Sequence, residues 1–261
     1  MLSLFRKKKV ALVLGGGSAR GIAHIGVMRV LQEARIPIDY VVGTSIGAMV
    51  GAAYCVGVSV ESMDKKARAF SWEKLFDPVF PKIGLIEGNK LEQVIQDIIE
   101  NKEFSDARIP LAIVTTDIEK NEEIYFTSGD LKKLVRASCS WPGVFNPVVI
   151  DNRLLVDGGV KNSVPTKIAQ ALWPDAFIIA VDVGFCVKKG KIDNILQIML
   201  QTFQIMGEEL NGYQASSADI VIRPDLAEID QISFNRANEL IEQGAEAARQ
   251  SISRIKKALR L

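Results

Sequence analysis

Ser45 stands in the pentapeptide Gly43-Thr44-Ser45-Ile46-Gly47, and Asp157 opens the tripeptide Asp157-Gly158-Gly159. A serine hydroxyl becomes a nucleophile only when a neighbouring group takes its proton as it attacks, and a carboxylate within hydrogen-bond reach is able to do so. Acyl transfer also needs fixed N–H donors for the oxyanion that develops. The run Gly15-Gly16-Gly17-Ser18-Ala19-Arg20-Gly21 can supply them, because glycines admit positive φ and let several amides converge on one point. A helix beginning just after such a loop adds the positive end of its dipole. The same loop would hold a phosphate as readily as an oxyanion, so alone it leaves the chemistry open.

The elements around these residues decide between the readings. Val10 to Leu14 is an unbroken apolar run ended by glycines, which predicts a buried strand. Residues 18–34 carry Ile22, Ile25, Met28 and Leu31 at helical spacing. Residues 38–42 read as a second strand and 46–56 as a helix rich in small residues. Both glycine runs therefore lie between a strand and a helix. A GxSxG in that setting is a nucleophile elbow, a strained turn whose flanking glycines remove the clash with neighbouring strand and helix. Its serine would project at the carboxyl edge of the sheet, where open α/β folds place their sites.

Further along, 91–100 reads as a helix and 111–115 as a buried strand. Residues 117–127 read as a hairpin turning at Lys120-Asn121, and 148–156 as a second turning at Asp151-Asn152, so that Asp157 follows the apolar return Leu154-Leu155-Val156. A hairpin-end Asx turn would account for Asp157 equally well. Residues 176–183 and 220–222 read as strands, 193–214 and 233–259 as long helices, and 71–84 as an irregular excursion; Trp72, Phe76 and Phe80 with the apolar residues of 195–206 are candidates to line an acyl-chain groove or touch membrane, or are ordinary core. The alternation predicts an α/β fold: a three-layer sandwich with a central, mostly parallel sheet. With no repeat, low-complexity tract or linker, residues 1–261 read as one domain whose motifs fall within 10–170.

Composition narrows the function. The 32 basic and 31 acidic residues nearly cancel, which argues against a nucleic-acid partner. Cys55, Cys139 and Cys186 are odd in number and lack CxxC spacing, so neither a disulfide framework nor a zinc site is expected, and a reducing, cytoplasmic location fits. His24 is the single histidine, so no multi-histidine metal site can form and any Ser-His-Asp triad must use it. It shares a helical face with Val27, Met28 and Leu31, as a packed histidine would. Residues 1–14 do not read as a signal peptide, since Arg6 to Lys9 is followed by only five apolar residues. The same segment, with Leu2, Leu4 and Phe5 beside Arg6-Lys7-Lys8-Lys9, offers an apolar tip and a basic run for weak peripheral membrane contact, or is a solvated leader. The second basic cluster, Lys188-Lys189 with Lys191, reads as solvated surface. Residues 40–60 run without a charge and repeat glycine at 43, 47 and 51, a pattern that mimics a membrane span; the elbow breaks it.

Together the glycine loop with Arg20, the elbow Gly43-Thr44-Ser45-Ile46-Gly47-Ala48 and the turn Asp157-Gly158-Gly159 resemble the patatin-like phospholipases of bacteria and the catalytic domain of neuropathy target esterase. Arg136-Ala137-Ser138 and Pro142-Gly143-Val144-Phe145 fit as well, and the resemblance runs from about Val10 to Gly244. It implies a patatin-like fold, a lipid or ester substrate, no cofactor, and a Ser45–Asp157 dyad. It also implies an oxyanion hole from the backbone of Gly15, Gly16, Gly17 and Ser18 with Arg20 nearby. The family's GxGxxG, aligned on Gly21, puts Ser18 where the middle glycine stands.

Two other classes compete. A dinucleotide-binding oxidoreductase would use the glycine turn with Asp39 as its ribose-binding acid, but Arg20 would then occupy a position that wants a small residue, and Ser45 and Asp157 would have no role. A catalytically silent interaction protein on the same fold is the other.

Overall fold

The computed structural model describes residues 8–75, 77, 83–184 and 195–261. The N-terminal apolar tip, Phe76, Phe80, Cys186 and the basic cluster at 188–191 lie outside these, as does the side chain of Trp72.

Strand β1 (Val10–Leu14) is buried along its whole length because helices cover both of its faces. Val10, Leu12 and Leu14 enter one core, and the smaller Ala11 and Val13 enter the other, as the two-residue period of a strand requires. The strands that follow are β2 (Tyr40–Thr44), β3 (Gly84–Ile86), β4 (Leu111–Asp117), β5 (Glu122–Phe126), β6 (Gly143–Phe145), β7 (Val148–Ile150), β8 (Arg153–Asp157), β9 (Phe177–Val181) and β10 (Ile220–Ile222). The helices are α1 (Ala23–Glu33), α2 (Ile46–Cys55), α3 (Val60–Arg68), α4 (Asn89–Ile98), α5 (Leu131–Ser138), α6 (Thr166–Leu172), α7 (Ile195–Gln214) and α8 (Ala237–Leu259).

Among the described residues the main sheet runs β10-β9-β1-β2-β4-β8-β7, with β5 also paired to β4. The pairs from β10 to β4 are parallel; β5, β8 and β7 join antiparallel. Helices α1, α2, α5 and α8 contribute to the larger core on one face and α6 to the smaller core on the other, which makes the three-layer α/β sandwich. Helices α1 and α8 cross at glycines: a Cβ on Gly26 would lie 1.8 Å from the Ile241 carbonyl oxygen, and one on Gly244 2.0 Å from that of Ala23.

Several expected spans shift at their ends. The second strand begins at Tyr40 rather than residue 38 and runs to Thr44; just ahead of it Asp39 is clamped to Val10, its backbone N–H donating to the Val10 carbonyl and its carboxylate accepting Val10 N–H, each at 2.9 Å. The first helix opens with a 3-10 turn, Ser18–Ile22, before α1. Helix α7 is inverted with respect to a core helix: its buried residues include Gln204 and Asn211, whereas Ile198, Phe203, Ile205, Met206, Leu210 and Tyr213 are exposed. No described helix is long and apolar enough to cross a membrane, and the charge-free run at 40–60 divides into β2, α2 and the start of α3.

Candidate active site

Strand β4 is longer than its neighbours, and two strands share one of its edges. Residues 111–114 register with β2, ending at Thr44 opposite Val114; residues 115–117 register with β8, with Asp157 opposite Thr115. The Pro110 carbonyl accepts from Val41 N–H and Ile118 N–H donates to the Leu154 carbonyl. Residues 110 and 118 are an even number apart and so point to the same edge. Strands β2 and β8 thus approach end to end from opposite directions, and their last residues deliver Ser45 and Asp157 to one point.

At that point Ser45 Oγ donates to Asp157 Oδ2 at 2.6 Å. Ser45 has φ 55° and ψ −127°, a conformation a serine adopts at a cost. The flanking glycines permit it: a Cβ on Gly43 would sit 2.6 Å from Ala48 Cα, and one on Gly47 2.1 Å from the Leu14 carbonyl oxygen. Asp157 is turned by its own Asx bond, Oδ1 accepting Gly159 N–H at 2.7 Å. Burial pushes its carboxyl up to about 6, outweighing the two hydrogen bonds that favour the carboxylate. A hydroxyl proton and a buried carboxylate of raised basicity are therefore in direct contact, the arrangement that nucleophilic catalysis needs.

The glycine loop lies alongside. A Cβ on Gly16 would be 3.4 Å from Ser45 Cβ. Two of its amides are already committed: Gly15 N–H donates to the Val181 carbonyl and Gly16 N–H to the Ser163 carbonyl, each at 3.0 Å. Ala19 N–H donates to the Gln231 carbonyl at 2.9 Å. Gly17 and Ser18, the latter at φ 52°, have no amide acceptor among the described residues. The set available to an oxyanion is thus narrower than the run Gly15 to Ser18. The Arg20 side chain is buried and its guanidinium donates to the carbonyls of Ile229, at 2.7 Å, and Gly184, at 3.1 Å. It straps the loop to the segments behind it. Gly158 packs its Cα against the Val114 carbonyl, where a Cβ would lie at 2.5 Å, and so lets β8 close onto β4.

His24 is fully buried with Nε2 2.8 Å from the Gly15 carbonyl oxygen. Burial holds it down to about 4, so the ring is neutral at neutral pH and Nε2–H donates to Gly15, leaving Nδ1 without a partner among the described residues. It stiffens the glycine loop and makes no bond to Ser45 or Asp157. Asp39 pairs with Lys9 at 2.6 Å, beside the first residue of β1 and so at the amino edge of the sheet. A ribose-binding acid belongs at the opposite edge.

Sequence reasoning gave no role to the C-terminal turn of α5. Ser138 Oγ accepts Ser45 N–H at 2.8 Å and donates to the Val114 carbonyl at 2.6 Å, and the Ser140 carbonyl accepts Asp157 N–H at 2.9 Å. Between them sits Cys139, whose buried thiol is pushed far above its ordinary range. Buried Arg136 ties this turn to Ser140 Oγ and to the carbonyls of Glu87, Gly88 and Asn146. Only the run Arg136-Ala137-Ser138 marked the place, and nothing in that run points to a partner 93 residues away.

The family described as patatin-like phospholipase matches residues 12–170. The chain is 38% identical over 183 residues to the neuropathy target esterase sws of Drosophila melanogaster, covering 67% of this chain and 13% of that protein. It is 34% identical over 229 residues to patatin-like phospholipase domain-containing protein 6 of Homo sapiens, covering 84% of this chain and 16% of that one. Against the lysophospholipase nte1 of Aspergillus fumigatus it is 34% identical over 212 residues, 79% of this chain and 13% of the other. The chain thus spans less than a fifth of these relatives' length. In fold it is similar to VipD from Legionella pneumophila (TM-score 0.57, 13% identity, 95% of this chain and 67% of that one) and to the type III effector protein ExoU (TM-score 0.53, 14% identity, 95% and 53%).

Proposed function

The chain belongs to the patatin-like phospholipase family, and from that membership we propose that it is a lipid acyl hydrolase, of phospholipase A or lysophospholipase type, working through a Ser45–Asp157 dyad. The observation that carries this reading is the 2.6 Å contact of Ser45 Oγ with a buried carboxylate at a strained elbow. As Ser45 Oγ attacks the ester carbonyl carbon, its proton passes to Asp157 Oδ2 and the carbonyl π pair moves onto oxygen. The amides of Gly17 and Ser18 meet that oxyanion, Gly15 and Gly16 serving to hold the loop in shape. Collapse expels the alcohol, which takes the proton from Asp157, and leaves an acyl group on Ser45. Water then attacks the acyl carbon with Asp157 again receiving the proton, and the second collapse returns it to Ser45 Oγ. The test is labelling by a fluorophosphonate together with p-nitrophenyl ester turnover. The wild-type protein should label and turn over, and Ser45→Ala should do neither while remaining folded. Undiminished turnover by Ser45→Ala overturns the dyad.

The lipid substrate is supported by the phospholipase and lysophospholipase names of the relatives, and peripheral membrane contact by α7. Ile198, Ile205, Met206 and Tyr213 share the outward side of that helix, while inward Asn211 bonds Asp182 and Gln214 Oε1 accepts Ser163 N–H beside the glycine loop. Replacing Ile205 and Met206 by Asp should abolish co-sedimentation with anionic vesicles; unchanged co-sedimentation removes α7 from the reading. Cys55 and Cys139 as free thiols support a reducing, cytoplasmic location.

A further inference from the structure

We propose that the Ser138 hydroxyl is a positioning group that makes the elbow by entering the β-ladder in place of its next rung. In the parallel pair β2–β4, Val41 N–H donates to the Pro110 carbonyl at 3.0 Å, and the register repeats that bond two residues on, from Gly43 to Ala112. The next term of the series is Ser45 N–H to the Val114 carbonyl. That rung is not made. Ser138 Oγ stands between the two groups instead, accepting from Ser45 at 2.8 Å and donating to Val114 at 2.6 Å.

An inserted hydroxyl does three things at once. It satisfies the partly buried Ser45 amide and the buried Val114 carbonyl, which would otherwise lose their partner, and it does so with a side chain that is itself fully buried. It separates β2 from β4 by the width of one oxygen at Ser45, where the backbone turns to φ 55°. It also vacates the edge of β4 from Thr115 onward, so that β8 can dock there and bring Asp157 to Ser45. The same turn holds the other partner, since the Ser140 carbonyl takes Asp157 N–H. Helix α5 thus carries the spacing between nucleophile and base although it supplies neither.

This inference rests on Ser45 being the nucleophile, and the test separates the two. Wild-type protein that fails to label at Ser45 with a fluorophosphonate ends the parent reading. Given labelling, Ser138→Ala should lower kcat and the labelling rate per folded molecule by roughly 10²-fold with KM little changed, as a displaced reacting group does. Ser138→Thr, which keeps the hydroxyl, should recover most of that rate. The acid limb of the pH profile should stay near pH 6 in Ser138→Ala, because the burial that raises Asp157 is untouched; a general loosening would admit water and move the limb down. Where Ser138→Ala does not fold, Ser138→Cys, a weaker donor and acceptor, carries the same expectation of slow labelling. Labelling within about twofold of wild type in a folded Ser138→Ala or Ser138→Cys protein, or a Thr variant as slow as the Ala one, overturns the proposal.

Discussion

The two turns that follow β1 and β2 are built from the same parts. Each leaves a parallel strand, each is rich in glycine, each leads into a helix, and each holds a serine at positive φ, 52° at Ser18 and 55° at Ser45. They end with opposite outputs. The β2 turn spends its backbone, Ser45 N–H being held by Ser138, and presents a side chain. The β1 turn ties down Gly15 and Gly16 through their amides and leaves the backbone N–H groups of Gly17 and Ser18 without an acceptor among the described residues. What a strand-to-helix turn presents is therefore set by which of its groups the surrounding strands have already claimed.

The largest expected effect comes from removing the base on the side-chain turn. Asp157→Asn keeps the shape but cannot take the serine proton, and ester turnover should fall by at least ~10³-fold, measured after a thermal melt shows folding. Stability should move the other way. Because the folded carboxyl is raised from 3.8 to about 6, its favourable contribution is complete below about 4 and lost as pH rises through 6. The ionised group is then a cost at pH 8, so Asp157→Asn should be more resistant to urea there, by about 1–3 kcal/mol, with the advantage gone by pH 4. An Asn variant less stable than wild type at pH 8 would refute the buried-carboxylate account.

On the backbone turn, Gly17→Ala places a Cβ 2.7 Å from Val183 Cγ2, in a spot where Val183 is itself buried. The loop must shift and carry its free amide with it, and we expect kcat to fall roughly 10- to 10²-fold with KM nearly constant. A purely raised KM would mean that the loop binds substrate and not the oxyanion.

His24 tests whether the β1 turn needs stiffening. His24→Ala should lose about 1–3 kcal/mol of stability in urea titration, as buried substitutions do, with turnover per folded molecule within a fewfold of wild type. The acid limb near pH 6 should persist, since it belongs to Asp157. The neutral ring, held down to about 4, adds stability that is present above pH 6.5 and lost as pH falls through 4, so the alanine variant should also show a shallower acid unfolding. A folded His24→Ala protein without esterase activity would reinstate the triad.

The smallest effect is expected at Ser18→Gly. If the turn serves through its amides, deleting this side chain should leave kcat unchanged and stability within ~1 kcal/mol, since glycine adopts φ 52° without cost. A marked loss of rate would show that Ser18 contributes its hydroxyl.

Much of this was legible before the fold. Val10–Leu14 and Ile220–Ile222 have the ends their composition predicts, and the Asp151-Asn152 turn has both residues at positive φ as its sequence suggests. Helix α5 was not foreseen. It has only eight residues, and its signals, an Asp130 N-cap with Leu131, Leu134, Val135 and Ser138 on one face, are the minimum a period can show. The exposed side of α7 was one of two readings the sequence left open, because an apolar stripe marks a face without saying whether core, acyl chain or membrane covers it.

The sequence by itself determined that Ser45 sits on a strained turn and that Gly15 to Ser18 form a loop, because both facts follow from neighbours within a few residues. Which carboxylate meets Ser45, which two amides remain open and what holds the elbow apart were decided by tertiary structure. Those answers depend on β8 docking at Thr115, on carbonyls of Val181 and Ser163, and on a hydroxyl from α5. Each lies far along the chain from the group it meets, and the pairing of distant strands is set by the burial of whole faces that no local pattern encodes.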